Sequence, residues 1–469
     1  MMEQTSRPSS AWQKEGRALV TGATGAVGFH TVRSLLRRGR KVRLLVRSEE
    51  KARALLPPAW FEDGEDEQGG GAVELAVGDV VDIESIKAAL VGCSVVYHCA
   101  GLPEQWLPDP NTFWRVNVEG TRNMVDAAKA ASSPAIQKFV FVSTIDVFRG
   151  PPGRPFKEED EDYTTPRKTA YQQSKLAAHK LVKDEVEQHN FPAVFLCPAG
   201  VYGPGLSASP TANALFLDLV EGKLPFLLPG GLPLIYGPDV GEAMVLAAEA
   251  EEDGKKNGEC YILSAEFVKL QDLARMVKEV YAELDPLAAQ RMKVPSVMPL
   301  FVGRAVASGG ELWSKLTGSK PLVQRGQVEF LAGACPGDSS KAEKELGWRS
   351  TPLRSGLLEV LRRYRLAKVQ GPSAWILEDH QLDDAASPAS SSASSPSSSS
   401  SSSSASASSA VVAEEEETKK EAEKEAEDQA GEGEKEEEKT EESGEKEESE
   451  EEGSQAHHQS GGGEEEAAK

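Results

Sequence analysis

Residues 17–39 read RALVTGATGAVGFHTVRSLLRRG, in which an apolar run, a glycine-rich turn and an amphipathic stretch ending at Gly39 follow one another. This order predicts a β-strand, a tight turn and an α-helix. Gly22, Gly25 and Gly28 have the spacing GxxGxxG. In such a turn the first glycine permits the bend, the second lets a pyrophosphate approach, and the third lets helix and strand pack closely. The segment therefore predicts a dinucleotide-binding turn.

Further apolar, β-branched runs follow this turn at intervals that leave room for helices. The predicted strands are ALVTG, KVRLLVR, AVELAVGD, SVVYHCA, KFVFVST and AVFLCP. This alternation predicts an α/β fold, a Rossmann-type doubly wound parallel sheet over residues 16–199. Residues 200–368 mix short strands with helices and predict a smaller, mixed α/β substrate-binding lobe interleaved with the sheet. Residues 1–15 are predicted to be flexible, and the acidic, glycine-rich segment FEDGEDEQGGG to be a surface insertion.

The charge of the chain is unevenly distributed. The net charge is −23, and residues 378–469 contain 29 acidic and 7 basic side chains, which leaves 46 acidic and 45 basic for the first 377. This Ser-rich and then Glu/Lys-rich tail has too few apolar residues to offset the entropy of ordering, so we expect it to be disordered. Solvation is its expected role, with binding to basic proteins as the alternative. The charge excludes a strongly basic nucleic-acid binder.

Cysteine, histidine and hydropathy patterns set further expectations. The five cysteines are an odd number without a CxxC pair, which argues against a disulfide framework or a zinc site. The histidines show no metal-ligand spacing, so no metal is expected. No run of eighteen apolar residues predicts a membrane span, and the N-terminus resembles neither a signal nor a transit peptide. We expect a cytoplasmic protein.

The end of the second predicted strand bears on the choice of cofactor. Arg47 and Ser48 stand where an NAD site usually has a carboxylate for the ribose 2′-OH, and Arg43 precedes them on the same face. A guanidinium there can bind a 2′-phosphate that a carboxylate would repel. NADP(H) is therefore preferred. NAD(H) stays possible, because the arginines could simply solvate a strand end and Glu49 could reach the ribose.

Two later strand ends are also expected to lie against the cofactor. Asp79 and Val80 follow the third strand, where Asp79 could accept a hydrogen bond from the adenine amino group. Ala100 and Gly101 end the fourth strand and leave room for a ligand. Each tripeptide alone is an ordinary strand-end turn, and their order after the glycine turn makes them informative.

A second pattern predicts proton transfer. Tyr171 and Lys175 are four residues apart at the start of a helical stretch, so their side chains share one face. A neighbouring ammonium and an oxidised nicotinamide would both lower the pKa of the phenol from about 10 towards the working range. Ser143 and Thr144 end the fifth strand and supply a hydroxyl that could orient a substrate oxygen.

These motifs together resemble the extended short-chain dehydrogenase/reductase family. The resemblance covers residues 17 to about 365 and includes TGATGAVG, GDVVD, HCAG, RVNVEGTRNMVDAA, FVFVST, YQQSK, CPAGVYGPG, GPDVGEA and DSSKAEKELGW. It is closest to the branch of 3β-hydroxysteroid dehydrogenases, dihydroflavonol reductases and hopanoid-associated epimerases. It implies a catalytic Thr144, Tyr171 and Lys175, with Ser143 beside them and Asn117 stiffening the site. It implies cofactor contacts from Gly22, Thr24, Gly25, Ala26, Val27, Gly28, Arg47, Asp79, Val80, Ala100, Gly101, Tyr171, Lys175, Pro198 and Val201.

Departures from the family pattern bear on the reaction. Ile145 and Asp146 stand where sugar-nucleotide dehydratases have an Asp-Glu pair, which disfavours dehydration, and Cys197 replaces the usual arginine before Pro198. The segment LPEQWLPDPNTFWRVN is rich in aromatic residues that could roof an apolar pocket, although Phe113 and Trp114 could equally be helix core. Trp106 and Tyr202 are candidate substrate contacts.

The sequence therefore predicts an NADP(H)-dependent oxidoreductase that interconverts a secondary alcohol and a ketone on an apolar, ring-containing small molecule. One alternative is an NAD-dependent sugar-nucleotide epimerase on the same scaffold. Another is a non-catalytic, NADP-responsive scaffold with an acidic interaction tail, against which the complete Thr-Tyr-Lys set argues. A homodimer could form through residues 118–129 and 171–186.

Overall fold

A computed structural model of the chain describes residues 16–61, 72–104, 106–132, 134–150, 153–205, 212–250, 257–317, 323–371 and 375. The expectations for the N-terminal 15 residues, for nearly all of the acidic insertion and for the tail from residue 378 lie outside these residues.

Ten strands are present in the described residues: β1 Arg17–Thr21, β2 Val42–Val46, β3 Val73–Val77, β4 Cys93–His98, β5 Lys138–Val142, β6 Ala193–Pro198, β7 Gly200–Tyr202, β8 Gly231–Tyr236, β9 Cys260–Leu263 and β10 Glu266–Lys269. The longer helices in sequence order are α1 Ala26–Arg37, α2 Glu49–Leu55, α3 Ile83–Leu90, α4 Gly120–Ala130, α5 Ala170–His189, α6 Asn213–Val220, α7 Gly237–Glu249, α8 Leu270–Leu284, α9 Pro286–Arg291, α10 Leu300–Thr317, α11 Arg325–Gly333, α12 Ser340–Leu346 and α13 Leu353–Gln370. The six strands predicted for the Rossmann half coincide with β1–β6 to within two residues.

The large sheet confirms the predicted fold class. Its seven strands are all parallel and have the order β3-β2-β1-β4-β5-β6-β9. The chain moves outward from β1 to β3 and then returns to the other side of β1, and the connecting helices lie on both faces of the sheet. All six positions of β4 are buried, as expected for a strand covered on both faces.

A smaller sheet of three strands has the order β10-β8-β7, with β10 antiparallel and β7 parallel to β8. Its residues pack with α8 and α13 in a second hydrophobic cluster that includes Phe216, Val277 and Leu357. β9 follows β8 in sequence and yet completes the large sheet beside β6, so the second half of the chain contributes to both sheets.

Helices α1 and α7 cross in unusually close contact because α7 has glycine at the crossing. A Cβ at Gly241 would lie 2.4 Å from the backbone of His30, and one at Gly237 would lie 2.7 Å from its ring. His30 is buried, its Nε2 lies 2.7 Å from the carbonyl oxygen of Pro204, and burial lowers its pKa to about 3. The helix that follows the glycine turn, α1, is therefore held in place by its close packing against α7.

Candidate active site

The centre of the large sheet has the geometry of a nucleotide-binding crevice. The order of the strands reverses between β1 and β4, and both strands end at the same edge because they are parallel. In doubly wound folds, ligands bind at this edge, where the loops after the two strands separate. The glycine turn after β1 and the Cys99-Ala100-Gly101 segment after β4 meet here.

Two of the three turn glycines are required by contacts within the protein. Gly22 has a φ of 68°, and a Cβ there would lie 2.8 Å from the backbone nitrogen of Ala100. A Cβ at Gly28 would lie 2.1 Å from the carbonyl oxygen of Gly22, far inside van der Waals contact. Gly28 thus lets α1 pack against the turn, as predicted for the third glycine.

The second glycine meets a different requirement. Gly25 has an extended conformation, and a Cβ there would meet only the carbonyl oxygen of Gly22, at 3.2 Å. It precedes α1 and provides no side-chain cap for the helix N-terminus. A helix N-terminus that has no side-chain cap, next to a residue that has no side chain, suits the binding of a pyrophosphate. Thr24, Ala26 and Val27 lie in the same turn.

A chain of hydrogen bonds links the glycine turn to the loop after β4 and to α4. The backbone nitrogen of Ala100 donates to Thr21 Oγ1 at 3.0 Å, and Thr21 Oγ1 lies 2.9 Å from His98 Nδ1. His98 Nε2 lies 3.2 Å from Thr121 Oγ1, which donates to the carbonyl oxygen of Asn117 at 2.7 Å. These bonds assign the imidazole proton to Nε2. Burial lowers the pKa of His98 to about 3, which keeps the ring neutral and preserves this arrangement.

Asn117 lies in a π-helical turn, Trp114–Glu119, that leads into α4. Its Oδ1 accepts a hydrogen bond from the backbone nitrogen of Leu102 at 2.8 Å, and its Nδ2 donates to Ser174 Oγ at 3.0 Å. Asn117 therefore connects the loop after β4 to α5 through the two ends of its amide. Short π-helical turns occur frequently at functional sites.

Lys175 is buried on α5 beside the ends of β4 and β5. Its Nζ donates to the carbonyl oxygen of Val142 at 2.8 Å, and a Cβ built on Gly101 would lie 3.8 Å from the same Nζ. Burial lowers the pKa of Lys175 to about 8. The ammonium is thus held at the crevice edge with an appreciable cost of desolvation.

Tyr171 lies one turn before Lys175, and its ring contacts Phe113 edge-on with centroids 6.3 Å apart. Desolvation of the hydroxyl raises the pKa of Tyr171, and the negative charge of Asp146 raises it further, while a hydrogen bond with Thr144 opposes both. The lowering expected from Lys175 and a bound, oxidised nicotinamide stays a prediction, and the protein groups alone raise the pKa of the phenol. Burial is the reason.

The two neighbouring hydroxyls after β5 point to different partners. Thr144 Oγ1 lies 3.3 Å from Asp146 Oδ2, in the group that includes Tyr171. Ser143 Oγ instead lies 2.7 Å from Nδ1 of the buried His179. The position of Thr144 therefore fits an active-site hydroxyl, whereas Ser143 faces the interior.

Asp146 is a buried carboxyl group that the sequence analysis considered only as a departure from the dehydratase pattern. Gln172 Nε2 donates to its Oδ1 at 3.0 Å, and its own backbone nitrogen donates to Thr144 Oγ1 at 3.2 Å. Burial raises the pKa of Asp146. It therefore orients Thr144 and acts electrostatically on Tyr171.

Of the three residues considered for the adenosine end, two form ion pairs within the protein and one is exposed. Arg43 binds Glu74 at 2.9 Å and the carbonyl oxygen of Ala89 at 2.7 Å, so the expectation that it could approach a 2′-phosphate is wrong. Glu49 pairs with Arg53 at 2.9 Å. Arg47 is exposed directly after β2.

Three more residues that end strands border the crevice edge. Asp79 follows β3, and its Oδ1 accepts a hydrogen bond from the backbone nitrogen of Val81 at 3.2 Å. Val80 is buried, where a Cβ at Gly120 of α4 would lie 2.8 Å from it. Pro198 ends β6 at the same edge of the sheet.

The two candidate substrate residues have different environments. Trp106 is half-buried, whereas Tyr202 is 1% exposed and its ring packs between Phe216 and Tyr236 at centroid distances of 5.6 and 5.5 Å. Tyr202 is therefore a core residue, and its position does not support the substrate contact that the sequence suggested. Val201 precedes it in β7 and is half-buried.

A sequence model of the family described as "NAD dependent epimerase/dehydratase family" matches residues 18–262, just over half of the chain. The chain belongs to this family.

Members of the NAD-dependent epimerase/dehydratase family with related sequences include reductases and dehydrogenases. One is a 4-hydroxy-2-methyl-3-oxo-4-farnesyl-3,4-dihydroquinoline-1-oxide ketoreductase of Stigmatella aurantiaca, 30% identical over 74% of this chain and 96% of that protein. Another is a 3β-hydroxysteroid dehydrogenase/Δ5→4-isomerase of Mycobacterium tuberculosis, 28% identical over 71% of this chain and 86% of that protein. The UDP-glucose 4-epimerase of Thermus thermophilus, solved in complex with NAD, has the same fold, with a TM-score of 0.52 and 21% identity over 74% of this chain and 99% of that one.

The chain is therefore an oxidoreductase of the NAD-dependent epimerase/dehydratase family, an enzyme that acts on CH–OH groups with a nicotinamide dinucleotide. The resemblance that the sequence motifs indicated is confirmed. Among the described residues, no helix combines the length and the apolar character needed to cross a membrane.

Sequence reasoning missed several residues of the site. The roles of His98 and Asp146 depend on contacts with Thr21, Thr121 and Gln172, all of which are distant from them in sequence. A carboxyl group two residues after the predicted hydroxyl is the one signal that could have drawn attention to Asp146 beforehand. A histidine in a buried strand gave no comparable signal.

Proposed function

We propose that the protein is an NADP(H)-dependent oxidoreductase that interconverts a secondary alcohol and a ketone on an apolar, ring-containing small molecule. The observation that carries this proposal is the grouping of Thr144, Tyr171 and Lys175 at the ends of β4 and β5, beside the glycine turn. Such a grouping can move a proton to or from an oxygen atom while a hydride moves at the attached carbon.

Each residue of this group has a distinct part in the proposed reaction. Thr144 hydrogen-bonds and orients the substrate oxygen, and Tyr171 transfers its proton at the phenol oxygen. Lys175 provides positive charge beneath the site and a donor for the nicotinamide ribose, and Asn117 fixes α5 relative to the loop after β4. When bound, the dinucleotide supplies or accepts the hydride.

The protonation state of the phenol bears on the proposed proton transfer. Burial and the charge of Asp146 both raise the pKa of Tyr171, so the phenol is neutral at physiological pH. A neutral phenol is the proton donor that a ketone needs when it is reduced to an alcohol. The phenol therefore starts ketone reduction in the protonation state that this direction needs, whereas alcohol oxidation needs it to lose its proton first.

The preference for NADP(H) over NAD(H) is supported by the charges after β2. Arg47 is exposed at the strand end, whereas the carboxylate of Glu49 is occupied by Arg53. A 2′-phosphate would therefore meet a positive group that is free to turn towards it. The 2′-OH of NAD(H) would meet no unoccupied carboxylate at Glu49.

The apolar character of the substrate is supported by the surroundings of Tyr171. Phe113 contacts its ring, half-buried Trp106 follows β4, and Ile145 stands directly after Thr144. The related ketoreductase named above acts on a farnesylated quinoline, and the related dehydrogenase on a steroid. Apolar walls with few fixed polar groups suit such ring systems.

The proposal is tested by following the absorbance of reduced nicotinamide with NADPH and NADH against steroid, flavonoid and quinoline ketones and UDP-sugars. We expect consumption of NADPH with an apolar ketone. Tyr171→Phe is expected to abolish turnover and leave the Kd for NADPH nearly unchanged. Tyr364→Phe, which removes a hydroxyl of α13 that donates to Glu221 at the end of α6, is the matched control and should leave both unchanged.

Interconversion of UDP-sugars without net consumption of NADPH would instead support the epimerase alternative. Retention of ketone reduction by the Tyr171→Phe variant would remove this residue from the proposed mechanism. Nucleotide binding without turnover of any substrate in the panel would favour the non-catalytic scaffold.

A further inference from the structure

A second group of reactive side chains lies behind the proton-transfer residues. Glu161 follows the helical turn Glu158–Asp160, His179 belongs to α5, and Cys260 begins β9. The carboxylate oxygen, imidazole nitrogen and sulfur of these three residues all lie within 4.8 Å of one another. His179 and Cys260 are buried and Glu161 is half-buried.

Glu161 is oriented so that one oxygen faces the other two residues. Its Oε2 accepts a hydrogen bond from Tyr163 Oη at 2.9 Å. Its Oε1 lies 2.8 Å from Cys260 Sγ, which donates to it, and 3.5 Å from His179 Nε2. The same carboxylate oxygen, Oε1, therefore lies next to both the thiol and the imidazole.

His179 is held in the manner of a metal ligand. Its side chain has no solvent exposure, and its Nδ1 lies 2.7 Å from Ser143 Oγ. Its Nε2 is buried, points into the group and lacks a hydrogen-bond partner of normal geometry. Metal-binding histidines are commonly fixed in this way, with one nitrogen bonded to a neighbouring group and the other directed at the ion.

We propose that Glu161, His179 and Cys260 form a binding site for a thiophilic divalent cation of the zinc class. A thiolate, an imidazole and a carboxylate are the donors that zinc prefers. Ligand bonds of about 2.0–2.3 Å in tetrahedral geometry separate donor atoms by about 3.5 Å, which this group reaches with shifts of less than about 1 Å. Three protein ligands leave a fourth position for water.

Lys183 is the one cationic group of α5 that adjoins the site. Its Nζ lies 3.5 Å from Glu161 Oε1 and 3.8 Å from Cys260 Sγ. It also donates to the carbonyl oxygen of Gly258 at 3.0 Å and lies 5.5 Å from the ring of Phe195. These other partners can hold Lys183 at the outer side of the sulfur while the thiolate and carboxylate together neutralise a divalent ion.

The expected consequence is mechanical. The ion would join the segment after Glu158–Asp160, helix α5 and the edge strand β9 at one point. His179 lies one helical turn beyond Lys175, so the site would fix the far end of the segment that carries the proton-transfer residues. This inference goes beyond the proposed reaction and does not depend on it.

The test uses the full-length protein, freed of metals with a chelator and titrated with Co²⁺ as a spectroscopic probe. We expect one equivalent to give visible bands of a tetrahedral site and a near-ultraviolet thiolate-to-cobalt band, both removed by Zn²⁺. Cys260→Ser should abolish the near-ultraviolet band, and Glu161→Gln should weaken Co²⁺ binding by about 10- to 100-fold. Cys93→Ser, which changes a buried thiol at the start of β4, is the matched control and should keep both bands.

Absence of the cobalt bands in the wild-type protein would overturn the proposal, and so would bands that Cys260→Ser retains or that Cys93→Ser removes. If Cys260→Ser does not fold, Glu161→Gln decides the question, because an unchanged affinity for Co²⁺ in that variant would also refute the site.

Discussion

The buried ammonium of Lys175 leads to a prediction about stability. Burial lowers its pKa from 10.5 to about 8, which corresponds to a cost of about 3 kcal/mol for keeping the charge in the folded protein. Lys175→Met removes this cost but leaves the carbonyl oxygen of Val142 without its hydrogen bond, a loss of about 1–2 kcal/mol. We therefore expect the variant to be inactive and yet more stable than the wild type by about 1–2 kcal/mol at pH 7.

The pH dependence gives the sharper measurement. Below pH 8 both folded and unfolded chains carry the proton, so the whole cost is present. Between pH 8 and 10.5 the unfolded chain binds the proton and the folded one does not, so wild-type stability rises with pH relative to the variant, by about 1.4 kcal/mol per pH unit. The assay is denaturant unfolding of both proteins, without added nucleotide, from pH 7 to pH 10.

Lys180→Met is the matched control, because Lys180 is exposed on the same helix and pairs with Asp184 at 2.7 Å. Its stability difference from the wild type should be small and constant with pH. A constant difference for Lys175→Met across the same range would refute the reasoning, since it would mean that burial does not penalise the charge.

Three further predictions follow from individual contacts. Gly28→Ala should lower the free energy of unfolding by at least about 3 kcal/mol, because the new Cβ would lie 2.1 Å from a carbonyl oxygen. Gly39→Ala, where φ is 67° and the surrounding space is open, is the control and should lower it by about 1 kcal/mol. Equal losses of stability in denaturant unfolding would contradict this. Asp146→Asn should lower the pKa of Tyr171 and move the alkaline limb of the ketone-reduction profile to lower pH by about one unit, and an unmoved limb would exclude this coupling. Arg47→Ala should raise the Kd for NADPH about 10-fold and leave that for NADH unchanged in a fluorescence titration, and equal effects on both would remove the 2′-phosphate contact.

Much of the fold was predictable because it is encoded in local patterns. A parallel strand buried on both faces reads as a continuous apolar run, so the large sheet's first six strands could be placed to within two residues. The glycine turn was predictable because the backbone constraints at Gly22 and Gly28 admit no side chain. The pairing of Tyr171 with Lys175 follows from helical spacing alone.

The remaining features depend on contacts that no local pattern contains. Arg43 was misassigned because its partner, Glu74, lies on the neighbouring strand 31 residues away. The raised pKa of Tyr171 depends on burial, which becomes known only when the segment before α4 covers the ring with Phe113. Tyr202 lies within the family motif CPAGVYGPG, and yet its side chain is part of the second hydrophobic cluster.

The hydrogen-bond chain that passes through His98 makes two parts of the enzyme inseparable. Thr21 ends β1 directly before the glycine turn, Thr121 lies in α4, and the imidazole between them donates only to Thr121. A chimera that takes β1 and the glycine turn from a relative and the rest from this chain would lose these hydrogen bonds, because Thr21 would no longer come from the same parent as His98 and Thr121. Exchange of segments between such enzymes should therefore keep the stretch from Thr21 to Thr121, from the end of β1 to the start of α4, in one piece.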